Sequence, residues 1–167
     1  VIVRPGLFPF GPLDRTSFLP LVQHLGAYAH VGGGRATLCT AYAGNLVHGI
    51  ALAGEVPAAA GRTYVIADGM RITWRELMDL ICGGLGRAPI RRSVPYPIAY
   101  AAATAMEGAH ALLRLRGAPL ITRYRVRVAG LDCWFGIDRA RAELGYEPPT
   151  PVEEGMRRTL DWVKAAL

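Results

Sequence analysis

Short runs of β-branched residues alternate with longer amphipathic stretches along the chain. Residues 1–3 and 62–68 are typical of buried strands, because β-branched side chains pack well on a pleated surface. An extended segment is predicted at residues 36–42, and a further short strand at residues 90–96. A few strands separated by many helices predict an α/β fold.

The amphipathic stretches predict the helices. The clearest begins at Thr73, where Glu76 three residues later completes the spacing of a capping box. Between residues 121 and 129 the pattern favours a helix, although its alternation of arginine with apolar residues also fits a strand. Further helices are predicted near residues 17–25, 45–53, 98–115 and 139–144, and a last one from Pro151 with Val152, Met156, Leu160, Val163 and Leu167 on its inner face.

The composition excludes several classes of protein. With 167 residues, 51% of them hydrophobic, the chain is long enough for one core of ordinary size. No segment reaches the roughly 18–20 uncharged apolar residues that a membrane-spanning helix needs. The net charge of +6 comes almost wholly from arginine, but the arginines are dispersed and no aromatic stacking platform accompanies them, so nucleic-acid binding is not expected. Three well-separated cysteines fit buried thiols in a reducing compartment, and we expect a cytoplasmic protein.

The usual chemical constellations are missing from the chain. The four histidines have no metal-like spacing with cysteines or acidic residues. Ser17 and Ser93, the two serines, do not stand in a nucleophile elbow, and the glycines at residues 32–34 do not extend to a dinucleotide-binding or phosphate-binding loop. We therefore predict no catalytic residue and no metal ligand within this chain.

The order of four segments nevertheless resembles a known family. The segments are VIVRPGLFPFGPLD, AYAGNLVHGIALA, RTYVIADGMRITWRELMDLICGGLG and FGIDRARAELGYEPPTPVEEGMRRTLDWVKA. In that order they resemble the C-terminal half of the extended short-chain dehydrogenase/reductases, in the branch of NAD-dependent epimerase/dehydratase and 3-beta-hydroxysteroid dehydrogenase-like proteins. The resemblance implies the C-terminal part of a Rossmann-type NAD(P)-binding fold with a small, mostly helical substrate-binding lobe. Residues 1–167 would form this half, beginning at a late Rossmann strand at residues 1–4.

The resemblance also implies where the chemistry lies. In this family the glycine-rich dinucleotide loop and a Tyr-x-x-x-Lys catalytic pair precede the late strand. The only lysine here is Lys164, and Leu160 stands four residues before it, so this chain lacks the pair. We expect the substrate-binding part of an NAD(P)-dependent oxidoreductase or epimerase, with NAD or NADP bound mainly by a missing N-terminal Rossmann half. Because the sequence starts inside a strand without Met, it is expected to be a fragment. The alternative is a non-catalytic binding or regulatory module derived from the same fold.

The same resemblance assigns two groups of site residues. Pro5, Gly6, Leu7 and Phe8 match the loop that passes the nicotinamide end of the cofactor, where glycine permits close backbone approach. A plain strand-to-loop turn is the alternative for this segment. The substrate would meet Phe10, Leu13, Tyr42 and Asn45, and a hydrophobic, sterol-like alcohol or ketone is expected. For Asn45 a helix cap is the alternative.

The stretch at residues 98–115 fits two interpretations, which imply different partners. Residues 98–115 are rich in alanine and are followed by several arginines, so they fit either a helix packed on the core of the lobe or weak association with an anionic membrane surface. The packed helix is the simpler interpretation. The expected partners are thus a small-molecule substrate and the Rossmann half, with a homodimer as a further expectation.

Overall fold

The structure, a computed structural model, describes residues 1–117, 119 and 121–166. Leu167, predicted on the inner face of the last helix, lies outside the described residues. The strands within this part of the chain are β1 (Ile2–Pro5), β2 (Phe8–Phe10), β3 (His30–Val31), β4 (Thr37–Leu38), β5 (Thr40–Tyr42), β6 (Thr63–Ile66), β7 (Ile72–Thr73) and β8 (Ser93–Val94). The helices are α1 (Phe18–Gln23), α2 (Ala43–Glu55), α3 (Trp74–Gly84), α4 (Tyr96–Leu112), α5 (Arg123–Gly130), α6 (Asp138–Leu144) and α7 (Val152–Ala166).

The strands pair in four short ladders that join distant parts of the chain. β1 pairs with β6 in parallel, and Ile2 lies opposite Thr63. β2 pairs with β5 and β3 with β8, both in parallel, whereas β4 and β7 are antiparallel. Parallel partners require a crossover connection, and here the crossover from β1 to β6 contains α1 and α2. Strands lie within the segments predicted at residues 1–3, 36–42, 62–68 and 90–96. The first of them was expected to be buried, which is wrong, because Val1 and Ile2 are more than half exposed.

Two hydrophobic clusters form the core. The first, called the lobe core, packs α1, α3 and α7 around residues such as Phe18, Leu77 and Leu160. The second, called the sheet core, packs α2 and α6 against β6 through residues such as Ile66 and Tyr146. The lobe core also contains the strand residues Phe10 and Tyr42, and Leu7 packs against both cores, so a separate helical lobe stays a prediction.

The helices are specified locally where caps are present. Thr73 and Glu76 form the predicted capping box, in which the Thr73 hydroxyl accepts from the Glu76 backbone N–H and the Glu76 carboxylate accepts from the Thr73 backbone N–H. Residues 123–130 are helical, which decides between the two interpretations of that segment. The Thr122 hydroxyl accepts from the Arg125 backbone N–H, so a local N-cap favours the helix over a strand.

Helix α4 differs from the packed helix expected at residues 98–115. Of its residues only Ala103 is buried, and it packs mainly on α5. Leu112 at its end is 83% exposed, and Leu113 is also exposed. None of the helices in the described residues combines the length and the apolar composition needed to cross a bilayer. Weak association with a membrane surface and a homodimer both stay predictions.

His30 in β3 is buried and gives the fold an expected pH dependence. Burial, which strips water from the charged ring, and the nearby Arg75 guanidinium lower the pKa of His30 below its ordinary value of 6.5. A lowered pKa in the folded state means that the unfolded chain binds the proton first. The free energy of unfolding should therefore be fully present above pH 6.5 and fall as the pH drops through 6.5 towards the lowered pKa.

Denaturant unfolding at several pH values between 7.5 and 5 measures the slope of the free energy of unfolding against pH. His30→Gln should flatten this slope, because glutamine does not titrate. His24→Gln, which changes an exposed histidine in the same way, should leave the slope as it is. An unchanged slope in His30→Gln would show that other groups cause the acid-side loss.

Candidate functional site

The carboxyl ends of the parallel strands bring the predicted cofactor-binding residues together. Pro5 ends β1, the Gly6 backbone N–H donates to the Ile66 carbonyl over 3.0 Å, and the Phe8 N–H donates to the Cys39 carbonyl over 3.0 Å. Ligands of open α/β sheets bind beyond the carboxyl ends of the strands. The loop from Pro5 to Phe8 thus occupies the position where a site is expected.

Gly6 also has a packing reason to be glycine. A Cβ atom at this residue would lie 2.9 Å from the Thr40 carbonyl oxygen and 3.0 Å from that of Cys39. Any side chain would therefore push the loop away from β5. Pro5 is exposed, while Leu7 and Phe8 are half-buried, so the loop presents apolar surface at this edge.

Three of the aromatic residues named from the sequence meet in one cluster. The ring of Phe8 lies 5.7 Å from Trp74 and 6.4 Å from Phe18, and the ring of Phe10 lies 5.6 Å from Tyr42. Phe10 and Tyr42 are buried in the lobe core, so they pack behind the loop from Pro5 to Phe8.

Leu13, predicted to line the same substrate pocket, stands apart from this cluster. Its side chain is 71% exposed. Its backbone adopts a left-handed conformation with φ of 72°, which is uncommon for leucine. The structure therefore does not bring Leu13 together with the aromatic residues.

Asn45 is the centre of a buried polar network. Its side-chain amide donates to the Asp68 carboxylate and to the Thr150 carbonyl, each over 2.8 Å, and its oxygen accepts from the Thr150 N–H over 2.9 Å. The Asp68 carboxylate also accepts from the Tyr42 backbone N–H over 2.9 Å. Because α2 begins at Ala43, Asn45 lies within the first turn and does not cap the helix, which corrects that alternative.

The network ties three separate segments into one unit. Every polar atom of the Asn45 side chain is engaged with protein groups, so a substrate would reach it only by displacing one of them. The sequence reasoning missed Asp68, although an acidic residue directly after a buried strand was a visible signal. Substrate contact by Asn45 remains a prediction.

A cavity of about 580 Å³ lies between α4, α5 and the segment that follows α5. Its lining was not foreseen from the sequence, because it combines residues of three segments. The lining residues are Tyr100, Glu107, Arg123, Tyr124, Arg127, Val128, Leu131, Asp132 and Cys133. The cavity is therefore amphipathic, with charged and phenolic groups beside aliphatic ones.

The two carboxylates of the cavity are held by hydrogen bonds. Glu107 accepts from the Arg123 backbone N–H over 2.8 Å and from its guanidinium over 2.5 Å, and these bonds hold the pKa of Glu107 below its ordinary value. Asp132 accepts from the Thr37 N–H and hydroxyl over 2.8 and 2.9 Å, which likewise lowers the pKa of Asp132. Both side chains are therefore ionised at neutral pH.

The segment after α5 connects the cavity with the start of β4 and with Cys39, which directly precedes β5. The Cys133 N–H donates to the Thr37 carbonyl over 2.8 Å, and the Cys39 thiol donates to the Phe135 carbonyl over 3.7 Å. Burial raises the pKa of the Cys39 thiol, so it stays protonated and is a poor nucleophile at neutral pH. In residues 1–117, 119 and 121–166, no three His, Cys, Asp or Glu side chains form a group that could hold a metal ion.

Comparison with known proteins identifies the fold and the relatives. The chain matches no protein-family model. It is 32% identical over 164 residues to a 2-alkyl-3-oxoalkanoate reductase of Stenotrophomonas maltophilia and 34% identical over 176 residues to 3beta-hydroxysteroid-dehydrogenase/decarboxylase isoform 1 of Arabidopsis thaliana. Each match covers 95% of this chain, but only 49% and 39% of the two relatives.

A solved structure extends the comparison. The crystal structure of UDP-glucuronic acid 4-epimerase from Bacillus cereus in complex with NAD superposes with a TM-score of 0.67 over 99% of this chain and 44% of the epimerase, at 15% identity. The chain thus has the fold of the C-terminal portion of Rossmann-type proteins, as predicted. The relatives, a 2-alkyl-3-oxoalkanoate reductase and a 3beta-hydroxysteroid-dehydrogenase/decarboxylase, confirm the predicted resemblance to the C-terminal half of the extended short-chain dehydrogenase/reductases. It spans about half the length of the curated relatives it matches.

Proposed function

We propose that this chain is the substrate-binding half of an NAD(P)-dependent oxidoreductase or epimerase and that it works with a dinucleotide-binding Rossmann half. The observation that carries the proposal is the loop from Pro5 to Phe8, which lies at the carboxyl end of the parallel pair β1 and β6. In proteins of this architecture that is where a cofactor meets its substrate. About half of each relative has no counterpart in this chain, which supports a second half that binds the dinucleotide.

The outer surface formed by β1 and α2 is suited to contact with a second, dinucleotide-binding half of the protein. Ile2 on β1 is 57% exposed, and Val47 and Ile50 on α2 are 67% and 50% exposed. A strand edge beside an apolar helix face is suited to one more strand and its helix, because such a unit would pair the edge and bury the helix face. This surface supports the Rossmann half as the partner.

The loop fits the nicotinamide end of a bound cofactor. When bound, NAD or NADP supplies or accepts a hydride. Gly6 keeps the loop backbone against β5, and the half-buried Leu7 and Phe8 present apolar surface that excludes water from the reacting atoms. The aromatic cluster around Phe8 fixes the position of its ring. Proton transfer from the substrate hydroxyl is assigned to groups outside this chain, because the chain has no Tyr-x-x-x-Lys pair.

A hydrophobic alcohol or ketone is the substrate class that we propose. The names of the relatives refer to an alkyl-oxoalkanoate and to a hydroxysteroid, both of which combine a large apolar portion with a hydroxyl or carbonyl group. A non-catalytic binding or regulatory module remains the second candidate, and the absence of the catalytic pair from this chain favours it. The two candidates differ in whether cofactor binding appears when a Rossmann half is supplied.

Calorimetry with NAD(H) and NADP(H) tests the proposal. The two samples are this chain alone and a chimera in which the N-terminal half of the S. maltophilia reductase precedes Val1. We expect micromolar binding by the chimera and none by the chain alone. Gly6→Val in the chimera should weaken binding, because the new side chain would displace the loop, whereas Gly54→Ala adds a methyl group in open space and should not.

Two outcomes would contradict the proposal. Equal binding by the chain alone would place the cofactor site within these 167 residues. A folded chimera without binding, beside a parent reductase that binds, would favour the regulatory module.

A further inference from the structure

The end of helix α4 carries three leucines that water reaches. Leu112, Leu113 and Leu115 are each more than half exposed, and the arginines between and after them are exposed as well. This segment, residues 112–116, is named the leucine turn. Single exposed leucines are ordinary on a protein surface, whereas neighbouring ones mark a place of contact with an apolar partner.

Backbone hydrogen bonds close the leucine turn into an ordered segment. The Leu115 N–H donates to the His110 carbonyl over 3.1 Å, and the Arg114 N–H donates to the Ala111 carbonyl over 3.2 Å. Arg114 itself has a positive φ of 49°. This is the pattern of a Schellman motif, in which a left-handed residue ends the helix and the two bonds satisfy carbonyls of its last turn. The exposed leucines therefore belong to a defined turn.

The charge around the leucine turn is strongly positive. Between Asp79 and Asp132 the sequence has eight arginines and a single acidic residue, Glu107. Glu107 is already paired with Arg123 of α5, the helix that packs on α4. The leucines thus lie in a part of the chain where arginines far outnumber carboxylates.

Three kinds of partner differ in how well they fit an apolar surface with this charge. A second copy of the chain would place the same arginines opposite one another, because a two-fold interface joins the same surface of both copies. Nucleic acid offers phosphates but no apolar layer that receives leucines. A bilayer with anionic phospholipids offers both, since its phosphates lie next to the acyl chains. The bilayer is therefore the partner that the leucine turn fits.

We propose that the leucine turn binds the surface of a bilayer that contains anionic phospholipids. The leucines enter the boundary between head groups and acyl chains, while Arg114 and Arg116 lie at the level of the lipid phosphates. Arginine suits this level because its aliphatic stem packs along apolar groups and its guanidinium stays in the polar layer. The inference goes beyond the proposed function and does not rest on it, because the binding requires only this chain.

Co-sedimentation of the 167-residue chain with large vesicles tests the inference. One set of vesicles consists of phosphatidylcholine alone, and the other contains phosphatidylglycerol in addition, both at physiological salt. We expect binding to the anionic vesicles that is about tenfold stronger or more, because each arginine near an anionic surface adds to the attraction.

Two double variants separate the apolar contribution from the electrostatic one. Leu112→Ser combined with Leu113→Ser should lower the affinity for anionic vesicles about tenfold or more, because less apolar area leaves water. Arg114→Gln combined with Arg116→Gln should lower the same affinity by about fivefold for each arginine removed.

Two matched controls change the same kinds of group elsewhere on the surface. Val47→Ser removes an exposed apolar side chain from α2, and Arg15→Gln removes a positive charge from an exposed loop residue. Each control should bind anionic vesicles within about twofold of the unchanged chain, because the changed sites are independent of the leucine turn. Circular dichroism of each variant confirms that the helices are intact.

Several outcomes would overturn the inference. Equal binding to both sets of vesicles, or binding that the double leucine variant leaves unchanged, would show that the leucines do not enter an anionic bilayer surface. Full displacement of the chain from vesicles by glycerol phosphate would assign the arginines to a free phosphate ester. A dimer in vesicle-free sedimentation that the double leucine variant dissociates would assign this surface to a second copy.

Discussion

Asp68→Ala is expected to lower the free energy of unfolding by about 3–5 kcal/mol, because the change leaves buried donors without an acceptor. The Asp68 carboxylate accepts from the Tyr42 backbone N–H and from the Asn45 amide. Alanine removes both acceptor oxygens, and Asn45, which loses one of them, is fully buried. Urea denaturation at pH 7, followed by circular dichroism, measures the loss.

Two further variants separate the buried network from a general effect of charge. Asp68→Asn keeps one acceptor oxygen, so its cost should be smaller, about 1–2 kcal/mol. Asp161→Asn removes the same charge from an exposed pair with Arg157 and should cost less than about 1 kcal/mol. Equal losses for the alanine and asparagine variants of Asp68 would mean that the hydrogen bonds to this carboxylate contribute little.

Leu160→Ala should destabilise the lobe core by about 2–5 kcal/mol, as expected when a buried leucine leaves a cavity. Leu160 on α7 is fully packed against α3, and its Cδ1 fills the space where Gly84 has no side chain. Leu77 and Met78 of α3 belong to the same buried cluster. Thermal and urea unfolding should show the loss without a change in the described fold.

Leu115→Ala is the matched control for this substitution. Leu115 is an exposed leucine, so its truncation should change the free energy of unfolding by less than about 0.5 kcal/mol. A small loss in Leu160→Ala would show that the contact between α3 and α7 contributes little to stability.

The elements that could be predicted from the sequence are those with local causes. A stretch of about a dozen residues contains both the capping box of Thr73 and Glu76 and the apolar face of α3. Both predictions are confirmed. The relation to a Rossmann-type family rested on the order of four segments, which also needs no knowledge of contacts. Gly6 was correctly placed at the end of β1, but its packing against β5 depends on residues that lie more than thirty positions away.

The features that could not be predicted depend on contacts between distant segments. The hydrogen bond between Thr150 and Asn45 joins residues 105 positions apart, and the hydrogen bond between Asp132 and Thr37 joins residues 95 positions apart. No periodicity within a segment reports such pairs. The cavity was missed for the same reason, since α4, α5 and the following segment contribute to it together. Phe10 and Tyr42 were predicted to contact the substrate, which stays a prediction, and their burial in the lobe core could not be inferred from the sequence.

The two cores have a consequence for how the chain folds as it is synthesised. The sheet core includes Ile137 and Tyr146, and the lobe core includes Val152 and Leu160, so each needs residues near the C-terminus. At about 5–20 residues per second, a ribosome would take roughly ten seconds or more to pass from β1 to these residues. During that time neither core is complete, because α6 and α7 have not yet been made. Nascent chains should therefore expose the core-facing sides of α2 and α3 until α6 and α7 have emerged.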